Sequence, residues 1–405
     1  MATRVQIAFD LSANGIGNYF TLDDATKGAL DNATYKLGGD VLVDVTSKVR
    51  SVQVKRGRSR QLERFTAGNA NIVLDNRDRG FDPLNSASTY YGSILPRKQV
   101  VIDRDGAVIY TGAIFDWGFD YDLSGDSTAT VSVVDGLSLI AGQTRTAGTA
   151  TSQLTGARVD AVLTEIGWPL AQREISAGQA TLDADVVAAN VNALAYLSKA
   201  ADVSEPGAIF IGKTGLATFK DRADLQAFSS GLTFGTGGIP VQEIAVDYGA
   251  EQLANAIAVT YTSGASIAGT ATANDSAAQT AYGVIDKSIE TILSSSAQAS
   301  ALASWQLGQF KDPVYRFDAI TVNMLKLTSG QAAQVLDLEL ADVVLVTWTP
   351  NSVGAAVSEY VGIESIAHSI TPDEHMVTFA LSQTALGFVL DSSTFGILDT
   401  SLIGL

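Results

Sequence analysis

Several groups of residues have types and spacings that could do chemistry. The first runs from Gly207 to Thr214, where Gly207, Ala208 to Ile211 and then Gly212-Lys213-Thr214 satisfy a phosphate-binding loop pattern. Such a cradle needs a strand before the first glycine and a helix beginning at the lysine, so that loop amides and the positive helix end face the phosphates. Here Ser204-Glu205-Pro206 comes first, the intervening Ala-Ile-Phe-Ile is apolar, and Leu216 to Lys220 reads as a returning strand. The segment is expected to be a β-hairpin with Lys213-Thr214 at its tip and no nucleotide site. Loss of a hairpin-tip side chain such as Lys213 then costs no more than about 0.5 kcal/mol.

His368 and His375 are the only histidines, and they flank Pro372-Asp373-Glu374. They could be drawn as a metal site with the carboxylates. A spacing of seven places them on opposite faces of a strand, and Thr371-Pro372 marks a turn, so exposed turn histidines are expected. With two histidines and no cysteine, zinc sites and Ser-His-Asp catalysis have little material. Asp116, Asp120 and Asp122 surround Trp117, Phe119 and Tyr121. Paired carboxylates beside aromatic rings could hold and cleave a sugar. Simple strand alternation also explains them, with the rings on one face and the carboxylates on the other, and that is the expected arrangement.

The last group is a basic run, Lys55, Arg56, Arg58, Arg60 and Arg64. It is short, it includes Glu63, and it lies in a chain of net charge −17. Such an acidic balance argues against holding a nucleic-acid backbone by charge neutralisation. Arginine forks pair bidentately with carboxylates, so Arg56, Arg58, Arg60 and Arg64 are expected to form an inter-subunit salt-bridge strip.

The elements that must position these residues are mostly strands. The 405 residues can bury several cores, and 46% hydrophobic with 17% charged residues is a globular composition. The absence of cysteine excludes disulfide scaffolds. No signal peptide is visible in MATRVQIAFDLSANG, and no run approaches the roughly 20 apolar residues of a membrane helix. Synthesis and assembly in a cytoplasm are expected.

Residues 1–145 read as β, with Val5, Ile7 and Phe9 alternating, a hairpin turn at Arg104-Asp105-Gly106, and Ala129, Val131 and Val133 alternating before Asp135-Gly136. Residues 141–155 are small and polar and read as a linker or long loop. Residues 146–238 read as a small α+β domain. It has a helix capped by Thr155 with Val159, Val162, Leu163 and Ile166 inward. A second helix is expected near Asn190 to Ala201, with Val191, Leu194, Ala195 and Leu197 inward, followed by the 208–220 hairpin. Residues 239–385 return to strands at Ala256 to Tyr261, Ile320 to Leu327, Asp342 to Trp348 and Met376 to Leu381, with one helix near Ser296 to Phe310. In residues 386–405, Leu390-Asp391-Ser392 is echoed by Leu398-Asp399-Thr400. Phe388, Leu390, Phe395, Leu398 and Leu402 would make this segment a docking tail, since apolar surface of that kind is seldom left in water.

The stretch 52–83 is the most informative. A polar strand and the basic run lead into a strand ending Leu74-Asp75-Asn76-Arg77-Asp78, and Phe81-Asp82-Pro83 forms a corner. It resembles the opening barrel of the tail-hub (baseplate-hub, minor tail) proteins of long-tailed bacteriophages. Ile109 to Gly112 followed by Asp116-Trp117 is similar to the same family. So are Asp275-Ser276 before Tyr282-Gly283, the helix to Phe310, and Leu338 to Val346. The resemblance implies two tube-like β-barrels flanking the α+β domain, and a homotrimer that forms a pseudo-six-fold ring at the virion tail tip. It also implies a structural, cofactor-free, non-enzymatic role. The ring would contact distal tail or tube, tape-measure and receptor-binding proteins, and DNA would pass without specific binding. Rival readings are a cell-wall hydrolase with paired carboxylates and a carbohydrate-binding tip protein.

Overall fold

The computed structural model describes residues 3–9, 26, 41–61, 63–228 and 230–384. Its dominant element is a 13-stranded sheet, and period-two burial explains why these segments are strands. Val5, Ile7 and Phe9 are fully buried in strand Thr3–Phe9; so are Ile72 and Leu74 in Thr66–Asp75, and Ala129 and Val131 in Thr128–Val134. Arg104-Asp105-Gly106 makes the expected tight turn between Gln99–Arg104 and Ala107–Asp120, with Asp105 and Gly106 both at positive φ.

The sheet runs through both regions expected to be separate barrels. Strand Val49–Gly57 pairs with Thr66–Asp75 on one side and with Val357–Thr371 on the other, in a register from Gly57↔Ser365 to Val52↔Ile370. Beyond that joint lie Glu374–Gln383, Arg316–Asn323 and Glu243–Asp247. Among the described residues no sheet closes into a barrel. Two open halves that hydrogen-bond edge to edge satisfy each other's backbone groups without either closing on itself.

Gly57 makes the joint possible. Its φ is +103°, and a Cβ there would stand 2.1 Å from the Glu364 carbonyl oxygen and 2.7 Å from Ser365 Cα. Register shifts flank it on both strands, between Lys55 and Gly57 and between Ile363 and Ser365. These are bulges that bend the sheet where its halves meet.

The middle region differs in detail from expectation. Residues 141–155 are not a free linker. Thr144–Arg145, Gly148–Ala150 and Gln153–Leu154 pair antiparallel with Val191–Asn192, Asp185–Val187 and Thr181–Leu182. Ladders of two or three residues are too short to leave a periodic pattern. Helix Thr155–Glu165 buries Val159, Val162 and Leu163 as expected, but Thr155 is its first turn, not its cap. The Thr155 hydroxyl is hydrogen-bonded to Glu205 Oε2 at 2.9 Å instead. The second helix is shorter, Ala193–Ser198 capped by Asn192, and continues as a π-turn over Lys199–Ser204. Val191 lies in a strand and Ala195 is exposed, against expectation. Strands Ala208–Ile211 and Ala217–Lys220 form the expected hairpin.

In the last region helix Ser296–Phe310 falls where expected. Two further helices went unread: Ser276–Tyr282, capped by Asp275, and Ser329–Asp337, which opens with a Thr328/Gln331 capping box.

Candidate functional site

The basic run begins on strand Val49–Gly57, whose alternation turns Val52, Val54 and Arg56 inward and Gln53 and Lys55 outward. Arg56 is 2% exposed, and its Nη1 donates to Glu339 Oε1 at 2.6 Å. Burial alone would raise the Glu339 carboxyl; the Arg56 charge and the backbone N–H groups of Lys213 and Leu340 outweigh it and hold it below the usual range. Arg58 is buried just past the Gly57 bulge. Its Nε donates to Glu364 Oε2 at 2.5 Å, its Nη1 donates to the Glu63 carbonyl, and its guanidinium lies 4.4 Å from the Phe65 ring centre. Both arginines, expected to seek carboxylates on another subunit, are therefore answered inside this chain. The strand's inward face had to neutralise them on burial. Arg60 is exposed and meets Glu251 at 2.6 Å. Arg64 is exposed as well.

Glu339 also connects the basic strip to the false phosphate loop. Its Oε2 accepts from the Lys213 backbone N–H at 2.8 Å. Gly212 to Leu216 closes the hairpin tip as expected, but Lys213 is not idle. Its ammonium donates to the carbonyls of Leu336 at 2.9 Å and Asp337 at 2.6 Å, the last carbonyls of helix Ser329–Asp337. A cation on the negative end of a helix is a C-terminal cap, the opposite of a phosphate cradle. Sequence spacing could not show this, because helix and lysine are more than a hundred residues apart.

The histidines are not exposed turn residues. Pro372-Asp373 is the turn of a hairpin between Val357–Thr371 and Glu374–Gln383, which brings the two rings side by side. His368 is 5% and His375 1% exposed. Arg104 donates from Nη1 to His375 Nδ1. An arginine can only donate, so neutral His375 carries its proton on Nε2 and donates to His368 Nδ1 at 3.0 Å. Burial, and beyond it the Arg104 charge, push His375 down to about 3. Burial and then His375 hold His368 well below the ordinary range. Among the described residues no group of three or more His, Cys, Asp and Glu could hold a metal ion, and no helix is long and apolar enough to cross a membrane.

Strand alternation does govern the aromatic–acidic segment. Trp117 stacks on Phe119 and Phe119 on Tyr121, with centres 6.3 and 6.4 Å apart, and Phe81 continues the ladder inward at 6.2 Å from Trp117. Trp117 and Phe119 are half-buried, whereas Asp116 and Asp120 are exposed on the other face. The Trp117 indole N–H donates to the Leu95 carbonyl.

A cavity of about 380 Å³ went unread in the sequence. The π-turn, strand Asp286–Glu290 and helix Ser296–Phe310 enclose it, and Arg58 and Arg64 reach it from the basic run. Burial pushes the Asp202 carboxyl in its wall up to about 7. The residues come from six separated segments, and no spacing could have announced them.

The tail residues Phe388, Leu390, Phe395, Leu398 and Leu402 lie outside the described residues.

No family model matches the chain, and no curated protein matches it in sequence. Solved structures do share its fold. A tail protein from Neisseria meningitidis MC58 superposes with a TM-score of 0.61 at 10% identity, over 95% of this chain and 97% of that one. The 43 kDa tail protein of prophage MuSo2 from Shewanella oneidensis gives 0.56 at 15% identity, over 85% and 96%. The prophage tail protein gp18 from Listeria monocytogenes EGD-e gives 0.50 at 12%, over 93% and 94%. The resemblance read in the segment 52–83 holds at the level of three-dimensional structure, and the chain has the fold of phage tail proteins.

Proposed function

We propose that this chain is a structural subunit of a phage tail, forming the hub ring that ends the tail tube at the tip. The observation that carries the reading is the likeness to a tail protein along 95% of the chain. Its physical properties agree. A chain of charge −17 presents a surface past which DNA slides without adhering.

In this reading three copies form a ring in which the halves 1–145 and 239–385 each act as a tube-like barrel unit. Closure of the open sheet would then involve neighbouring subunits, because a ring satisfies edge strands that a lone subunit leaves open. Residues 146–238 form the domain between the two halves. The ring would bind the distal tail or tube protein above and tip or receptor-binding proteins below. Arg60, which meets Glu251 at the surface, and Arg64 are the exposed members of the basic strip that would serve contacts between subunits, and the segment 386–405 docks in the assembly. The mechanism is geometric: the ring continues or closes the channel and opens to pass DNA. No catalytic step and no cofactor belong to it.

Mass measurement of the purified protein, and images of tail tips, test this. Three copies per ring are expected; six copies or one would overturn the ring. The rival hydrolase reading predicts loss of turbidity when the protein is added to host cell walls, and the hub reading predicts none.

A further inference from the structure

The cavity beside the basic run is polar in a way the rest of the fold does not explain. Trp305 Nε1 and Gln306 Oε1 are buried in its wall without a hydrogen-bond partner among the described residues. Gln306 as a whole is 5% exposed. Native proteins seldom leave such atoms unmet, and Asp202 Oδ2 is a third in the same wall. An indole N–H seeks an acceptor and an amide oxygen seeks a donor. A peptide backbone offers both.

The cations in the wall differ in how they are answered. Lys199 is paired with Glu290 and Arg58 with Glu364. Lys287 is half-buried, lies 5.7 Å from the Phe310 ring centre, and among the described residues has no carboxylate in salt-bridge reach. Burial lowers its pKa, the mark of a cation lacking a counter-charge. Arg64 adds a second cation at the cavity.

Thr384, the last described residue, lines the same cavity, held by its hydroxyl to the Leu225 carbonyl at 3.1 Å. From there the chain continues for residues 385–405, which contain no Lys or Arg and two carboxylates, Asp391 and Asp399. Each carboxylate follows a leucine. Leu390 is six residues beyond Thr384, a reach of up to about 20 Å in extended chain. A cavity of about 380 Å³ takes a few side chains, not the whole segment.

We propose that this cavity seats the Leu390-Asp391 step of the chain's own C-terminal segment, Leu390 among its apolar wall atoms and Asp391 against Lys287. Backbone groups of the segment meet Trp305 and Gln306. Tethering at Thr384 favours the chain's own segment over another copy's, because it makes the local concentration high. This seat is argued from the isolated chain and does not depend on the ring.

The absence of native cysteines gives a clean test in the full-length chain. Ser288 lines the cavity and is exposed. A Ser288→Cys, Ser392→Cys pair should oxidise to an intramolecular disulfide several-fold faster than a Ser124→Cys, Ser392→Cys control placed on a distant turn. Lys287→Glu should slow that oxidation, and Asp391→Lys added to it should restore the rate. Equal rates for the two pairs would overturn the seat. So would a disulfide formed only between chains, or charge exchange that leaves a folded protein's rate unchanged. Failure of ring formation would leave all these results intact, so the two proposals fail separately.

Discussion

His368 Nδ1 and His375 Nε2 stand 3.0 Å apart inside the sheet, and Arg104 donates to the far side of His375. One permanent cation and two imidazoles thus share a buried site. Among the described residues the carboxylate nearest Arg104 is that of Asp105, 4.0 Å from Nε. The arrangement holds only while both rings are neutral, because a proton on either ring would convert a donor–acceptor chain into repulsion.

That gives a stability prediction with a definite sign. Both imidazoles titrate lower in the folded chain than the ordinary value of 6.5, His375 at about 3. Between those values the unfolded chain binds more protons, so the pair's contribution is full above 6.5 and falls as the pH drops. Asp135 and Asp202 act oppositely. Burial raises them to about 6 and about 7, so they favour the folded state most at acid pH and lose that contribution as pH rises. The whole-protein profile therefore mixes two trends, and the difference from a variant isolates one. His375→Gln should destabilise at pH 7, and its deficit relative to the parent should shrink by about 1–2 kcal/mol on going to pH 5. Denaturant melts at both pH values measure it. A deficit that is constant or grows would refute the neutral-pair assignment.

Lys213 offers a sharper test of the false phosphate loop. Lys213→Ala removes the donor to the Leu336 and Asp337 carbonyls. A loss of roughly 1–2 kcal/mol is expected, the scale of a hydrogen bond from a charged donor. Lys213→Arg should recover part of it. Calorimetry with nucleotide should show no heat for parent or variant. A neutral Lys213→Ala would mean the cap contributes nothing.

The basic strip should divide into two classes. Arg58→Glu would place a second carboxylate against buried Glu364, and even Arg58→Ala should cost roughly 3–5 kcal/mol by leaving that carboxylate unpaired. Arg60→Glu breaks only the exposed contact with Glu251. It should leave the melting curve unchanged while reducing incorporation into tails. Normal tails carrying Arg60→Glu would remove that residue from the interface proposal.

The contrast within one strip shows what sequence could and could not reveal. Period two in Ala70, Ile72 and Leu74, and in Ala129, Val131 and Val133, is local, so those strands were legible. So was helix Ser296–Phe310. That Arg56 finds Glu339 and Arg58 finds Glu364 depends on strand Val49–Gly57 joining Val357–Thr371, some 300 residues away along the chain. The two histidines were misplaced for a related reason. The turn at Thr371-Pro372 was read, but not that the strands on either side of it pair within the sheet and bury both rings. The cavity drew on six segments, none with a spacing of its own.

The joint between the halves makes the last prediction. Gly57→Ala would place a methyl group 2.1 Å from the Glu364 carbonyl oxygen and 2.9 Å from a Leu340 methyl, at a φ of +103° that L residues avoid. The backbone of Val357–Thr371 would have to withdraw, taking with it the pairing from Ser365 to Ile370 and the Arg58–Glu364 contact. Gly106→Ala is the matched control. Its φ is +89°, and nothing lies within 4 Å of the added Cβ, so only the backbone penalty of about 1–2 kcal/mol applies. Gly57→Ala should cost at least about 2 kcal/mol more than this control, since backbone cannot yield as a side chain can. Hydrogen exchange should locate the damage. Amides of 365–370 lose protection first, while those of 129–134, three strands away across the same sheet, keep theirs. If the two alanine variants melt alike, the close approach at Gly57 does not hold the halves together.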